Sequence, residues 1–170
     1  MEVLHYENFE LLETVNAWII IGASIPMGIL TRHWSALRAI VSGLMLASCS
    51  WLCFAIAPTI PAALVGIALF AIGEATLSPR LYEYVATLAP KEQVGTYMGF
   101  AFLPVAIGSF AGGPLGGYLV EKYLHETYQP EMIWYIVASI GIIACLLLLI
   151  YAQIVKSGVE GDEMQVELAS

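Results

Sequence analysis

Residues 61–88 read PAALVGIALFAIGEATLSPRLYEYVATL, a long apolar stretch with one carboxylate, Glu74, near its middle. A helix that spans a bilayer needs roughly 20 predominantly apolar residues, so this stretch is long enough to cross. An acidic side chain near the bilayer midplane costs about 3 kcal/mol on insertion scales and therefore usually marks a functional site. The alternative is that Glu74 hydrogen-bonds to a neighbouring helix and only fixes the packing.

The composition of the whole chain is typical of a membrane protein. Of its 170 residues, 59% are hydrophobic and 12% are charged, which would leave a soluble domain with too little polar surface. The net charge of -8 comes mostly from acids near the two termini and in residues 121–131. We interpret these acids as solvated ends and a loop, and we expect no nucleic-acid partner.

Five apolar runs predict an all-α, polytopic membrane helix bundle. They cover residues 16–31, 37–57, 61–88, 94–120 and 133–155. The alternating pattern of barrel strands is absent, which favours helices. We expect an extracytoplasmic N-terminal segment at 1–15, a five-helix transmembrane domain at 16–155 and an acidic cytoplasmic tail at 156–170. Because carriers are commonly built from paired repeats, five spans indicate part of a longer carrier.

The third span carries a polar stripe. A helical turn of 100° per residue places Phe70, Glu74 and Ser78 on one face, with the hydroxyl one turn from the carboxylate. Pro79 removes a backbone donor, so we expect a free carbonyl at Ala75 and a kink just past Glu74. Several oxygens would then be available to a proton or an ammonium group.

Arg80 and Glu83 continue this span toward its predicted cytoplasmic end. Their i,i+3 spacing allows an ion pair, and both side chains can also reach the membrane surface. A structural role is favoured over a gate for this pair.

Small residues recur along the fourth span on two helical stripes. The first consists of Gly95, Gly99, Ala106, Gly113 and Gly117, and the second of Gly108, Gly112 and Gly116. Small residues let helix backbones approach closely, which drives helix association in lipid. We expect two close helix contacts here, with Pro104 and Pro114 as places where the helix can bend. For any single glycine, a role in tight packing alone explains its presence as well as a role in gating does.

The sequence does not indicate an enzyme. His5, His33 and His125 all lie outside the apolar runs, so no buried histidine can serve a Ser/His pair or an intramembrane metal site. The three cysteines lie within apolar runs and form no metal-ligand pattern, and no glycine-rich phosphate loop is present. We therefore expect no catalytic residues, no metal and no cofactor.

The third and fourth spans share a spaced set of residues with a known family. The set is Gly73-Glu74, Ser78-Pro79, Leu88-Ala89-Pro90, Gly95, Met98-Gly99, Phe102-Leu103, Ala106, Gly108 and Gly112. With it, residues 73–117 resemble helices ten and eleven of a major facilitator superfamily carrier, most closely in the proton-dependent oligopeptide transporter branch. Ala101, where that branch usually has Trp, departs from the pattern.

The resemblance implies a partial major facilitator fold in which the five spans are helices eight to twelve of twelve. In that branch the acid that matches Glu74 holds the amino end of the substrate, assisted by an Asn that Asn16 matches. The implied partners are the lipid bilayer, a small-molecule substrate, a proton and the missing N-terminal helices of the same carrier.

Two main functional hypotheses remain open. The first is the C-terminal portion of a secondary active transporter, with proton-coupled uptake or efflux of a small solute such as a peptide. The second is a non-transporting membrane interaction protein or inactive carrier fragment, in which the glycine stripes contact a partner helix. An intramembrane enzyme is third.

The basic residues predict the orientation in the plasma (inner) membrane. On one side of the five-pass path lie Arg32, Arg38, Arg80, Lys91 and Lys156, and on the other Lys122 alone. The richer side should be cytoplasmic, which places Met1 outside and Ser170 inside. Cysteines introduced near Glu126 should react with an impermeant thiol reagent added outside, and cysteines near Val159 should not. The reverse labelling pattern would overturn this orientation.

Overall fold

The computed structural model describes the backbone of residues 9–169 and the side chains of residues 14–154. Within these residues the chain is all helical and has no strand. The helices are α1 (Phe9–Thr31), α2 (Ala36–Ile56), α3 (Ile60–Leu88), α4 (Val94–Ala101), α5 (Leu103–Val120) and α6 (Glu131–Ala169), with a π-helical segment at Glu121–Glu126 between α5 and α6.

The predicted all-α membrane bundle is confirmed. Five stretches are long and apolar enough to cross a membrane: Thr14–Thr31, Ala36–Ile56, Ile60–Leu88, Val94–Glu126 and Glu131–Ile154. The predicted N-terminal segment lies partly outside the described residues, and α1 already begins at Phe9. At the other end, α6 continues to Ala169 through the predicted acidic tail. The domain boundaries therefore stay a prediction.

Short polar connections set where α2 and α3 begin. The Ser35 hydroxyl accepts a hydrogen bond from the Arg38 N–H at 3.4 Å, and the Thr59 hydroxyl accepts one from the Ala62 N–H at the same distance. Each hydroxyl satisfies one of the backbone donors that lack a partner in the first turn of a helix. The connections are short, with four residues between α1 and α2 and three between α2 and α3.

Small residues bring the backbones of α2 and α3 into contact. A Cβ atom at Gly43 would lie 2.7 Å from the Gly73 carbonyl oxygen and 2.9 Å from the Leu77 nitrogen. One at Gly73 would lie 2.7 Å from the Ala47 nitrogen, so only glycine fits at either position. Helix α2 contacts both α3 and α6, and α1 contacts α3. The packed unit is therefore formed by α1, α2, α3 and α6.

The fourth span lacks the close helix contacts expected from its glycine stripes. A Cβ atom would meet nothing within 4 Å at any of these glycines: Gly95, Gly99, Gly108, Gly112, Gly113, Gly116 and Gly117. Both stripes face open space in the described part of the chain. The physical reason is that close packing needs a second helix against each stripe, and α1, α2, α3 and α6 pack with one another instead.

Proline affects the helices unequally. The fourth span breaks at Phe102, where the N–H bonds to the Gly99 carbonyl at 3.2 Å in a tighter turn. This follows from Pro104, which has no N–H to donate to the carbonyl of Phe100 and whose ring clashes with that carbonyl. In contrast, α3 is continuous through Pro79 and α5 through Pro114, so neither proline ends its helix.

Gly43→Ala should destabilise the 170-residue chain by about 1–3 kcal/mol, because the added methyl group meets backbone atoms that cannot move aside. The matched control is Gly112→Ala, where the methyl group meets open space and the helix gains about 0.5–1 kcal/mol from the lower chain entropy of alanine. Unfolding in detergent, followed by circular dichroism, measures both. Equal stability of the two variants would contradict the assigned α2–α3 contact.

Candidate functional site

Glu74 lies on α3 directly after Gly73, the residue in backbone contact with α2. Its side chain is partly buried, as are those of Phe70 and Ser78 one turn away on either side. The carboxylate forms no hydrogen bond or ion pair with any residue whose side chain the structure describes. The contact expected of a packing lock is thus not seen among these residues, and the carboxylate oxygens are available to a ligand.

After the Glu74 carboxylate, the side-chain oxygen of Asn16 on α1 is the second acceptor without a partner among the described residues. This Oδ1 atom is fully buried, yet it has no hydrogen-bond donor among the described residues. Leaving a buried acceptor unpaired costs about 1–3 kcal/mol. Because α1 packs directly against α3, the polar residues matched to a carrier site lie on two adjoining helices, and both retain free acceptor oxygens.

Phe70 belongs to an aromatic cluster that links three helices. Its ring centroid lies 5.2 Å from that of Trp51 on α2, and the Trp51 ring stacks on Trp134 of α6 at 5.6 Å with an interplanar angle of 7°. Phe54 adds a further ring, 5.0 Å from Trp134. Sequence reasoning placed Phe70 beside Glu74 but missed its neighbours, although the i,i+3 spacing of Trp51 and Phe54 indicated one aromatic face on α2.

Arg80 links α3 to α1 by hydrogen bonds, at the end of the bundle that carries Arg32, Arg38 and Lys91. Its guanidinium binds the Glu83 carboxylate at 2.7 Å, and its Nε and Nη2 atoms each donate to the Thr31 hydroxyl at 3.4 Å. Thr31 is 2% exposed and donates its own proton to the Met27 carbonyl. These contacts fit a structural role, and no pattern in the sequence pointed to Thr31.

The other residues predicted for the site form no hydrogen bond or ion pair with the Glu74 side chain in the described part of the chain. Pro79 is exposed on α3 and Pro104 is exposed at the start of α5. Gly95, Gly99, Gly108, Gly112 and Gly113 lie along the open fourth span. Among the described residues, no group of three or more His, Cys, Asp or Glu side chains could hold a metal ion.

Together, five membrane-crossing helices and polar groups inside them define an integral membrane protein with the character of a carrier. Residues 4–166 match the Major Facilitator Superfamily, and the chain belongs to that family. The resemblance to the superfamily is therefore confirmed. This is a family of transporters, which points away from an enzyme; the oligopeptide branch and the C-terminal position stay predictions.

Curated relatives agree with this assignment. Over 117 residues the chain is 29% identical to the multidrug resistance protein MdtH of Aeromonas salmonicida (strain A449), covering 69% of this chain and 29% of that protein. It is 31% identical over 112 residues to MdtH of Proteus mirabilis (strain HI4320), covering 66% and 28% respectively. The aligned part of the chain thus spans less than a third of these relatives. No solved structure matches.

Asn16→Leu should raise the stability of the 170-residue chain by about 1 kcal/mol, since it removes the buried Oδ1 atom that lacks a donor. Thr76→Val is the matched control. Its hydroxyl is also buried but is bonded to the Ile72 carbonyl at 2.8 Å, so its loss should be neutral or destabilising. Detergent melting of both variants tests the contrast. Destabilisation by Asn16→Leu would show that the amide has a stabilising partner.

Proposed function

We propose that this chain is the C-terminal portion of a secondary active transporter and that Glu74 contributes to its substrate or proton site. The single observation that carries the proposal is the Glu74 carboxylate, which lies in a spanning helix without a hydrogen bond or ion pair to the described residues. Membership of a transporter family supports it. A carboxylate retained in an apolar helix at an insertion cost is explained when the transport cycle uses it.

The proposed carrier has its site between two sets of helices. Carriers of this kind bind substrate near the midplane, at the interface between structural repeats that rock against one another. In this account α1 and α3 supply one wall through Asn16 and Glu74, and the N-terminal helices of the same carrier supply the other. The glycine stripes of α4 and α5, where an added Cβ atom would meet none of the described residues within 4 Å, are then surfaces for those helices.

Exchange at one carboxylate can couple a proton to a substrate. The Glu74 carboxylate can be neutralised by a proton, or it can form an ion pair with an ammonium group, but one occupant excludes the other. Substrate binding would then release the proton, and proton binding would release the substrate. Phe70 and Ser78, one turn away on each side, would contact the apolar and polar parts of the bound solute.

The proposed substrate is a small organic solute that bears an ammonium group. A peptide carries one at its amino end, which agrees with the resemblance to the oligopeptide branch. Drug-like cations are the second source, because the relatives are named multidrug resistance proteins. Peptide uptake and drug efflux differ in direction. Mutually exclusive occupancy of Glu74 exchanges a proton for a solute, which serves drug efflux, whereas uptake of a peptide together with a proton would need a second proton site in the rest of the carrier. We further propose that the end of the bundle with Arg32 and Arg80 is cytoplasmic in the inner membrane.

Glu74→Gln should abolish gradient-driven transport while the protein stays folded, because the amide keeps the shape but can neither titrate nor pair with an ammonium group. The measurement is accumulation of a labelled dipeptide and of a cationic dye by vesicles at several outside pH values, using the complete reading frame that encodes this chain. Glu83→Gln is the matched control, since that exposed carboxylate pairs with Arg80 at the basic end.

The alternative, a non-transporting interaction protein, predicts a different outcome. There Gln would preserve hydrogen bonding, so both Glu variants should melt alike and no gradient-dependent transport should appear. Normal pH-dependent transport by the Glu74→Gln variant would rule out the proton-coupling role while leaving transport itself established. Accumulation of the peptide alone or of the dye alone would decide between the two substrate sources.

A further inference from the structure

A second candidate site lies at the end of the bundle opposite Arg80. It is a cleft of about 330 Å³ between the end of α2 and the start of α6, which we call the aromatic cleft. Its lining residues are Phe54, Ala55, Pro58, Pro130, Glu131 and Trp134. The volume is at the small end of the range for ligand sites, roughly 300–1,000 Å³, so the cleft suits a small ligand or a headgroup.

The aromatic walls of the cleft pack against other rings. The Trp134 ring centroid lies 5.6 Å from that of Trp51 and 5.0 Å from that of Phe54, and Trp51 and Phe54 are 5.8 Å apart, so the three rings form a triangular cluster. Phe54 is fixed in turn by Gly66 on α3, where an added Cβ atom would lie 2.6 Å from the Phe54 ring. The faces of indole and phenyl rings carry negative charge density and attract cations, indole most strongly.

Glu131 makes the cleft anionic. It is the first residue of α6, it is exposed, and its carboxylate forms no hydrogen bond or ion pair with the part of the chain whose side chains are described. Lys122 does not line the cleft; its ammonium group lies 3.1 Å from the Tyr118 hydroxyl and 5.5 Å from the Tyr118 ring centroid. A free carboxylate beside aromatic faces is the combination that recognises organic ammonium ions.

We propose that the aromatic cleft binds a small organic cation of the alkylammonium class, with the charged nitrogen near Glu131 and its alkyl groups against Trp134 and Phe54. The cleft opens where α2 and α6 meet the predicted membrane surface, so the cation can be a free solute or the headgroup of a zwitterionic lipid. This site is separate from Glu74, which does not line it. A test of cation binding in the aromatic cleft is therefore independent of the proposed transport function of Glu74.

Tryptophan fluorescence tests the proposal in the full 170-residue chain in nanodiscs. Trp18→Phe and Trp34→Phe remove two exposed indoles that lie outside the cleft, so the signal comes from Trp51 and Trp134. Choline is the probe, and its uncharged isostere with a tert-butyl group in place of trimethylammonium is the reference. Choline should produce a saturable change, and the isostere should bind at least about tenfold more weakly, equivalent to about 1.4 kcal/mol.

Variants locate the binding. Glu131→Gln should weaken choline binding about tenfold, while the control Glu126→Gln, an exposed acid outside the cleft, should change it by less than about twofold. Phe54→Leu keeps an apolar wall but removes the ring face, so it should also weaken binding severalfold. Glu74→Gln should bind choline as the parent chain does. Melting curves establish that each variant is folded before titration.

Two lipid compositions distinguish a free organic cation from a lipid headgroup as the occupant of the cleft. If the natural occupant is a free solute, the ratio of choline affinities between the parent and Glu131→Gln should be the same in phosphatidylglycerol and phosphatidylcholine discs. If it is a headgroup, phosphatidylcholine should compete and reduce that ratio toward one, whereas phosphatidylglycerol should not. Equal binding of choline and its isostere, or unchanged choline affinity in Glu131→Gln in phosphatidylglycerol discs, would overturn the proposal.

Discussion

Gly43 and Gly73 hold the backbones of α2 and α3 in contact, and Glu74 is the next residue along α3. In lipid, where no hydrophobic driving force brings helices together, such close approach is a main source of helix association. The contact therefore fixes the helix that carries the carboxylate. A second close approach, between Gly141 of α6 and Ser48 of α2, brings α6 against α2. Helix α2 is thus the scaffold against which the polar helix is positioned.

The chain combines a packed part and an open part. Helices α1, α2, α3 and α6 contact one another through small residues, Arg80 and the aromatic cluster. The fourth span breaks at Phe102, and its glycines meet no other helix within the described residues. Glycine lowers helix stability by roughly 0.5–1 kcal/mol relative to alanine, so a glycine-rich span is costly unless close packing uses it. That cost is explained when the span packs against helices outside this chain, as the carrier proposal requires.

The membrane architecture could be predicted because hydropathy and helix length respond to one strong constraint, the thickness of the bilayer. The ion pair of Arg80 with Glu83 also followed from local spacing, as the distance of 2.7 Å shows. Contacts between distant segments could not be predicted in this way. Neither the bond from Arg80 to Thr31 nor the stacking of Trp51 on Trp134 depends on a local period, since each requires knowledge of which helices are neighbours.

The glycine stripes also show that a local spacing does not predict which helices are neighbours. Their spacing predicts surfaces that can accept a helix, but spacing does not state which helix is present. The sequence pattern therefore predicted glycine packing on the fourth span, while the close glycine contacts among the described residues are those of Gly43, Gly66, Gly73 and Gly141. For the candidate site, the pattern identified the isolated acid in α3 but gave no indication that Asn16 has a buried acceptor without a donor.

The central claim is that Glu74 faces a substrate path and not a sealed helix contact. The most direct measurement is the reactivity of a cysteine at position 74 toward a hydrophilic, impermeant thiol reagent, in the complete carrier with Cys49, Cys53 and Cys145 replaced by alanine. Ala71→Cys is the control, because Ala71 is 0% exposed on the same helix. The account predicts that Glu74→Cys reacts from at least one side of the membrane while Ala71→Cys does not. Equal lack of reaction at both positions, from either side, would contradict it.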